Sequence, residues 1–126
     1  MIPYLLVGIG GAIGAMGRYG TGVALGRVAG DFPLATMLIN IVGSLCMGLL
    51  VGWLARTTPD AQQEIRLFVA VGVLGGFTTF SSFSLDTIVL IERGEIAQAA
   101  FYVLASVIVS VAALAAGLWL VRAVPA

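Results

Sequence analysis

The third apolar stretch of the chain, residues 67–90, reads LFVAVGVLGGFTTFSSFSLDTIVL. It is as long as a helix that crosses a bilayer, for which about 20 residues suffice. Its middle, GGFTTFSSFS at 75–84, is a poor continuous helix, because two glycines precede β-branched and hydroxyl-bearing side chains. Backbone groups freed by a break are tolerated in a membrane only where protein buries them or where they line a wet cavity. The sequence therefore predicts a broken membrane helix, and the alternative is a kink bridged by Thr and Ser hydroxyls.

The composition of the whole chain is that of a membrane protein. Of its 126 residues, 60% are hydrophobic and 10% are charged, whereas about a quarter are charged in soluble domains. Six basic residues, all Arg, balance six acidic ones, which leaves no basic surface for nucleic acid. The absence of His excludes His-dependent catalysis and His metal sites, and the single cysteine, Cys46, excludes an intramolecular disulfide.

Four apolar runs account for nearly the whole chain, at 2–25, 32–55, 67–90 and 96–121. The connectors are short and polar, so no soluble domain fits between them. The first run lacks a basic leading segment and is too long for the core of a signal peptide, so we expect it to be a mature helix. The predicted fold is all-α, a single four-helix transmembrane domain over residues 1–126 with a break in its third helix.

Arginines give this bundle almost no preferred orientation. The side that holds the first and third loops carries Arg27 and Arg93, and Arg18 lies near it; the opposite side carries three arginines. These are Arg56, Arg66 and Arg122. Because orientation follows the excess of Lys and Arg, the count is compatible with a chain that inserts both ways and pairs antiparallel, or with a bias that is simply weak.

Small residues recur at four-residue spacing in the first two runs, as Gly10 with Gly14, Gly22 with Gly26, and Gly48 with Gly52. Such pairs let helix backbones approach closely, although glycine is also common in membrane helices in general. Their density in the first run predicts tight packing and a self-association surface.

Polar residues in the other runs lie on common helical faces. Asn40 and Ser44 are one turn apart, and Tyr102, Ser106 and Ser110 are spaced by four. Because unpaired polar groups are costly in hydrocarbon, these stripes point to an ion path. No general acid, nucleophile or phosphate-binding loop accompanies them, so we do not expect an enzyme.

The third run offers chemistry for an anion and for a cation. Phe80 and Phe83 share a face among hydroxyls that include Thr79 and Ser82, and electropositive ring edges beside such donors suit a small anion. Carbonyls freed at the break suit Na⁺. Aromatic spacing of this kind is, more often, plain packing.

Two charged residues lie in or near the spans. Arg18 either snorkels to the headgroups or forms a positive vestibule. Asp86 either reaches the interface or pairs with an arginine, and it is the sole candidate for a proton-coupling carboxylate.

Three motifs resemble the CrcB/Fluc fluoride channel family over essentially the whole chain. GGAIGAMGRY at 10–19 is similar to the family pattern GGxxGAxxRY, Asn40 with Gly43 to NxxG, and GGFTTFSSF at 75–83 to GGxTTFSTF. Two departures are conservative: Ser82 stands for the usual Thr, and Ala35 stands where Gly is frequent.

The resemblance implies an antiparallel, dual-topology homodimer in the bacterial inner or plasma membrane, with two pores that export fluoride. It implies that Phe80 and Phe83 form an aromatic box along the pores, that Asn40 contacts fluoride, and that the polar track consists of Tyr102, Ser106 and Ser110. It further implies that Arg18 lines an aqueous vestibule, and that the carbonyls of Gly75 and Thr78 from both subunits hold a central Na⁺ that is not transported. The polar faces described above add three further pore candidates: Ser44, Thr79 and Ser82.

Two other function classes compete. A proton-coupled small multidrug exporter has a similar size, but it needs a carboxylate deep in a membrane helix, and Asp86 is close to a helix end. A non-transporting scaffold subunit would explain the glycine pairs but not the polar stripes.

Overall fold

The structure, a computed structural model, describes residues 1–26, 28 and 30–125, and this part of the chain is helical without strands. Arg27, which entered the count of arginines, lies outside the described residues. The helices are α1 (Ile2–Leu25), α2 (Leu34–Thr57), α3 (Gln62–Ile65), a π-helical segment (Arg66–Leu74), α4 (Gly75–Phe77), α5 (Phe80–Glu92) and α6 (Ile96–Ala123).

Three helical stretches are long and apolar enough to cross a membrane: Leu34–Thr57, Gln62–Glu92 and Ile96–Ala123. Helix α1 has 24 residues, but its glycines and Arg18 make it less apolar, and it is not one of the three. Helix α2 begins at Leu34 rather than at 32 because Pro33 immediately precedes it, and it ends where Thr58 adopts the left-handed region (φ 39°).

The third stretch changes helical type along its length. Residues 66–74 form a π-helix, a wider form that is uncommon beyond a single turn. Helix α4 follows for one turn and stops at Thr78 (φ −79°, ψ 157°), and Thr79 is also extended (φ −153°, ψ 124°) before α5 begins. Helical geometry is thus interrupted within the GGFTTFSSFS segment.

Glycines allow two pairs of helical segments to pack with their backbones in contact. A Cβ on Gly10 or Gly14 would overlap backbone atoms of the π-helical segment, so α1 packs directly on its main chain. Gly48 and Gly117 similarly bring α2 and α6 into backbone contact.

Within the described part of this chain, Gly22 and Gly26 do not bring α1 close to another helix, and their role in self-association stays a prediction. A Cβ on Gly22 would meet nothing within 4 Å, and one on Gly26 would meet only the Gly22 carbonyl of its own helix.

Candidate functional site

The interruption between α4 and α5 is held by a side chain from α2. Asn40 Nδ2 donates to the carbonyl of Thr79 (3.0 Å), and the Thr79 amide donates to Asn40 Oδ1 (2.8 Å). Thr79 in turn caps α5, because its Oγ1 accepts from the amide of Ser82 (3.2 Å). Both main-chain groups of a nearly buried residue are therefore paired, which is the condition for an irregular backbone at membrane depth.

A groove with a volume of about 550 Å³ opens beside this interruption, between α2, α5 and α6. Its lining residues, none of them ionisable, are Asn40, Gly43, Ser44, Met47, Gly75, Thr78, Thr79, Phe80, Phe83, Ser106, Val107, Ser110, Val111 and Leu114. Most of the residues predicted for the pore thus lie together on one surface, although they come from three separate stretches of sequence.

Three predicted residues lie elsewhere. Tyr102 is fully buried behind Phe83 and donates its hydroxyl to Asp86 Oδ2 (3.0 Å). Ser82 on α5 and Arg18 on α1 are both half-buried and lie outside the groove lining. For Asp86, the contact found is thus a hydrogen bond from a tyrosine rather than an arginine partner.

Two serine hydroxyls in the groove have no hydrogen-bond partner within the described part of the chain. Ser106 Oγ and Ser110 Oγ are both buried, and Ser106 as a whole is only 4% exposed. Leaving a buried hydroxyl unpaired costs about 1–3 kcal/mol. Both serines line the groove, so a rotation of either hydroxyl toward it would present a donor to a ligand there.

The two phenyl rings of the groove differ in environment. Phe83 is 9% exposed, whereas Phe80 is 78% exposed at the groove's edge. Their centroids are 5.5 Å apart and their planes are tilted by 44°. The chain therefore leaves the Phe80 side of the groove open.

The carbonyls of Gly75 and Thr78 have lost their usual helical partners. In a continuous helix the Thr79 amide would donate a hydrogen bond to the Gly75 carbonyl, and the Ser82 amide to the Thr78 carbonyl. Here the Thr79 amide donates to Asn40 Oδ1 and the Ser82 amide to Thr79 Oγ1. Both residues also line the groove. Their oxygens are free to coordinate a hard cation, and within the described residues no cluster of His, Cys, Asp or Glu side chains offers another metal site.

A second cavity of about 270 Å³, the end cavity, lies where α1 ends and α2 begins. Its charged lining residues are Asp31, Asp86 and Arg93. Phe83, Tyr102 and the bonded Asp86 stand between the groove and this cavity.

Sequence reasoning missed the apolar wall of the groove and the role of Gly43. Val107, Val111 and Leu114 line it beside the serines of α6, at a helical spacing that the sequence does contain. Gly43 packs against the methyl group of Thr78, which leaves no room for a Cβ. Nothing in the local sequence could have revealed that contact.

Comparisons with known proteins agree on one relationship. A family model described as "CrcB-like protein, Camphor Resistance (CrcB)" matches residues 5–118. A protein of Agrobacterium fabrum named "Fluoride-specific ion channel FluC" is 56% identical over 123 residues, 97% of this chain and 98% of the relative. Proteins with the same name from Hyphomonas neptunium (51%, covering 97% of each chain) and Rhodospirillum centenum (55%, covering 94% of each chain) are similar along nearly their whole length.

Proposed function

The chain belongs to the CrcB family, and from that premise we propose that it is a fluoride-specific channel through which fluoride leaves the cell down its electrochemical gradient. Its relatives carry the name of an ion channel, not of an enzyme. The activity is passive, and it lowers the fluoride concentration in the cytoplasm.

The groove is the observation that carries this proposal. Among the residues that the structure describes, it combines two serine hydroxyls without a hydrogen-bond partner with two phenyl rings, and none of its lining residues is ionisable. Hydroxyl donors and ring edges replace part of the hydration shell of a small anion. Because none of them is a full positive charge, the anion is stabilised without being trapped, as conduction requires.

Each polar residue of the groove has a place in this path. One Nδ2 hydrogen of Asn40 is engaged by Thr79, and the other is available to fluoride. Ser44, Thr79, Ser106 and Ser110 supply hydroxyls along the groove. Ser82 and Tyr102 act next to the path, Ser82 at the first turn of α5 and Tyr102 behind Phe83, while Arg18 attracts anions from outside.

The working unit we propose is an antiparallel homodimer with dual topology in the bacterial inner membrane. Four helices of each subunit cross the bilayer, α1 included. Phe80 is exposed and the groove is open on its side, so another surface has to pack there to close the path. A second, inverted copy of the chain provides that surface. The even distribution of arginines supports insertion in both orientations.

A structural Na⁺ between the two subunits is part of the proposal. The free carbonyls of Gly75 and Thr78 fit a cation bound through main-chain oxygens. Bound there, the ion would neutralise the carbonyl dipoles and tie the two interrupted helices together. It is not transported.

The alternative of a proton-coupled multidrug exporter has less support. Its carboxylate would be Asp86, which already accepts a hydrogen bond from buried Tyr102 and lies at the end cavity. Relatives at about half identity are named as fluoride channels.

The proposal is tested by fluoride efflux from liposomes that contain the purified protein. With potassium fluoride inside and valinomycin added, we expect a fluoride electrode to report rapid release. Protein-free liposomes are the control. Absence of release, or uptake of a quaternary ammonium dye driven by a pH gradient, would favour the exporter instead.

Phe80→Ile and Phe83→Ile are each expected to slow fluoride efflux about tenfold, because aliphatic side chains lack the electropositive ring edge. Size-exclusion chromatography checks that the dimer persists. Phe101→Ile is the matched control, since Phe101 is 59% exposed on α6 and lies outside the groove lining. Unchanged efflux in both groove variants would mean that the rings only pack.

Sodium is expected to raise the thermal stability of the dimer. A ligand that binds only the folded state adds about 2.7 kcal/mol at a hundred times its dissociation constant. The unfolding temperature is compared in sodium chloride and in N-methylglucamine chloride at equal ionic strength. Identical temperatures in the two salts would argue against a sodium site at the interruption.

A further inference from the structure

Four aromatic residues continue the line of rings that begins at Phe80. Phe83 lies 5.2 Å from Tyr102 between ring centroids, and Tyr102 lies 5.8 Å from Phe32. Phe32 then contacts Phe101 at 6.0 Å. The rings connect the groove with the start of α2.

The orientation of Phe83 matters for an anion in the groove, because a phenyl ring attracts an anion with its edge and repels it with its face. On the side away from the groove, the ring of Phe83 rests on Tyr102. Tyr102 has no exposed surface and belongs with Phe83 to one buried cluster. A rotation of Tyr102 would therefore be passed on to Phe83.

Tyr102 itself is held at two points. Its hydroxyl donates to Asp86, and its ring meets Phe32 at an interplanar angle of 87°, the favourable edge-to-face arrangement. The backbone at Phe32 is held in place by its neighbours. Pro33 follows it, and the amide of Leu34 donates to the Phe32 carbonyl (2.8 Å).

We propose that Phe32 is a positioning residue of the fluoride path: its edge-to-face contact fixes Tyr102, and through Tyr102 the angle at which Phe83 faces the groove. Phe32 does not line the groove, so its effect is indirect. This inference rests on the proposed function for its consequence in fluoride flux, but the ring contact can be tested separately.

The test combines fluoride efflux from liposomes with the ¹⁹F NMR signal of 4-fluorophenylalanine in place of Phe83. For Phe32→Leu we expect a shifted ¹⁹F signal and efflux about tenfold slower, the upper range for one lost edge-to-face contact. Phe32→Tyr keeps the ring and should restore both values. Phe101→Leu removes an exposed ring that contacts Phe32 but not Tyr102, and it should leave both unchanged.

An unshifted ¹⁹F signal in Phe32→Leu overturns the proposal. If efflux slows while the ¹⁹F signal stays unshifted, Phe32 acts as a lining residue of the end cavity and not through Phe83. A shifted signal with normal efflux also contradicts the proposal. Phe32→Met is measured in parallel. If Phe32→Leu is not monodisperse, the ¹⁹F signal and the efflux of Phe32→Met decide the test instead. Because the ¹⁹F signal does not depend on flux, a wild type that releases no fluoride refutes the proposed function while the signal still decides the role of Phe32.

Discussion

Asn40→Leu is expected to lower fluoride efflux by at least about a hundredfold, the effect of displacing a site by about 1 Å. The substitution removes both hydrogen bonds that hold Thr79 extended. It also leaves a buried amide and a buried carbonyl unpaired, at about 1–3 kcal/mol each. The chain is expected to relieve this cost by rearranging the interruption, which moves Phe80, Phe83 and the free carbonyls together.

The control for this prediction removes a hydroxyl from the same membrane region without touching the interruption. Thr87 Oγ1 donates to the Phe83 carbonyl within its own helix, so Thr87→Val should retain nearly full efflux. Asn40→Leu with at least half of the wild-type efflux rate would show that the pair with Thr79 does not maintain the path.

Gly14→Ala is expected to prevent formation of the folded protein. The new Cβ would overlap the Val73 carbonyl and come within 2.7 Å of the Phe77 amide nitrogen. These are main-chain atoms, which cannot rotate aside as a side chain can, so α1 would have to separate from the π-helical segment. We expect loss of the monodisperse peak in size-exclusion chromatography.

Gly8→Ala is the matched control on the same helix, because a Cβ there meets nothing within 4 Å. Alanine favours a helix over glycine by up to about 1 kcal/mol, so this variant should be as stable as the wild type or slightly more stable. A Gly14→Ala variant that unfolds at the wild-type temperature would refute the close packing of α1.

The sequence was sufficient for the features that depend on local composition. Of the four spans that the apolar runs predict, three coincide with helical stretches that are able to cross a membrane. The GGFTTFSSFS segment contains the extended residues Thr78 and Thr79. The sequence does not reveal the π-helix at 66–74, whose main chain lies directly against α1.

In the candidate site, too, the sequence predicts local features but not the contacts between distant residues. The face that carries Asn40 and Ser44 could be predicted from spacing, but the bond from Asn40 to Thr79 joins residues 39 positions apart. Tyr102 illustrates the limit of periodicity. It shares the four-residue spacing of Ser106 and Ser110, yet it is buried between Phe32 and Phe83, whereas the two serines border the groove.

The central claim is that an uncharged groove selects fluoride, and the most direct measurement is the reversal potential in a planar bilayer with fluoride on one side and chloride on the other. We predict a current that reverses far from zero, in the direction of fluoride permeability alone. A reversal potential near zero would mean that chloride passes as readily as fluoride, and it would contradict the account.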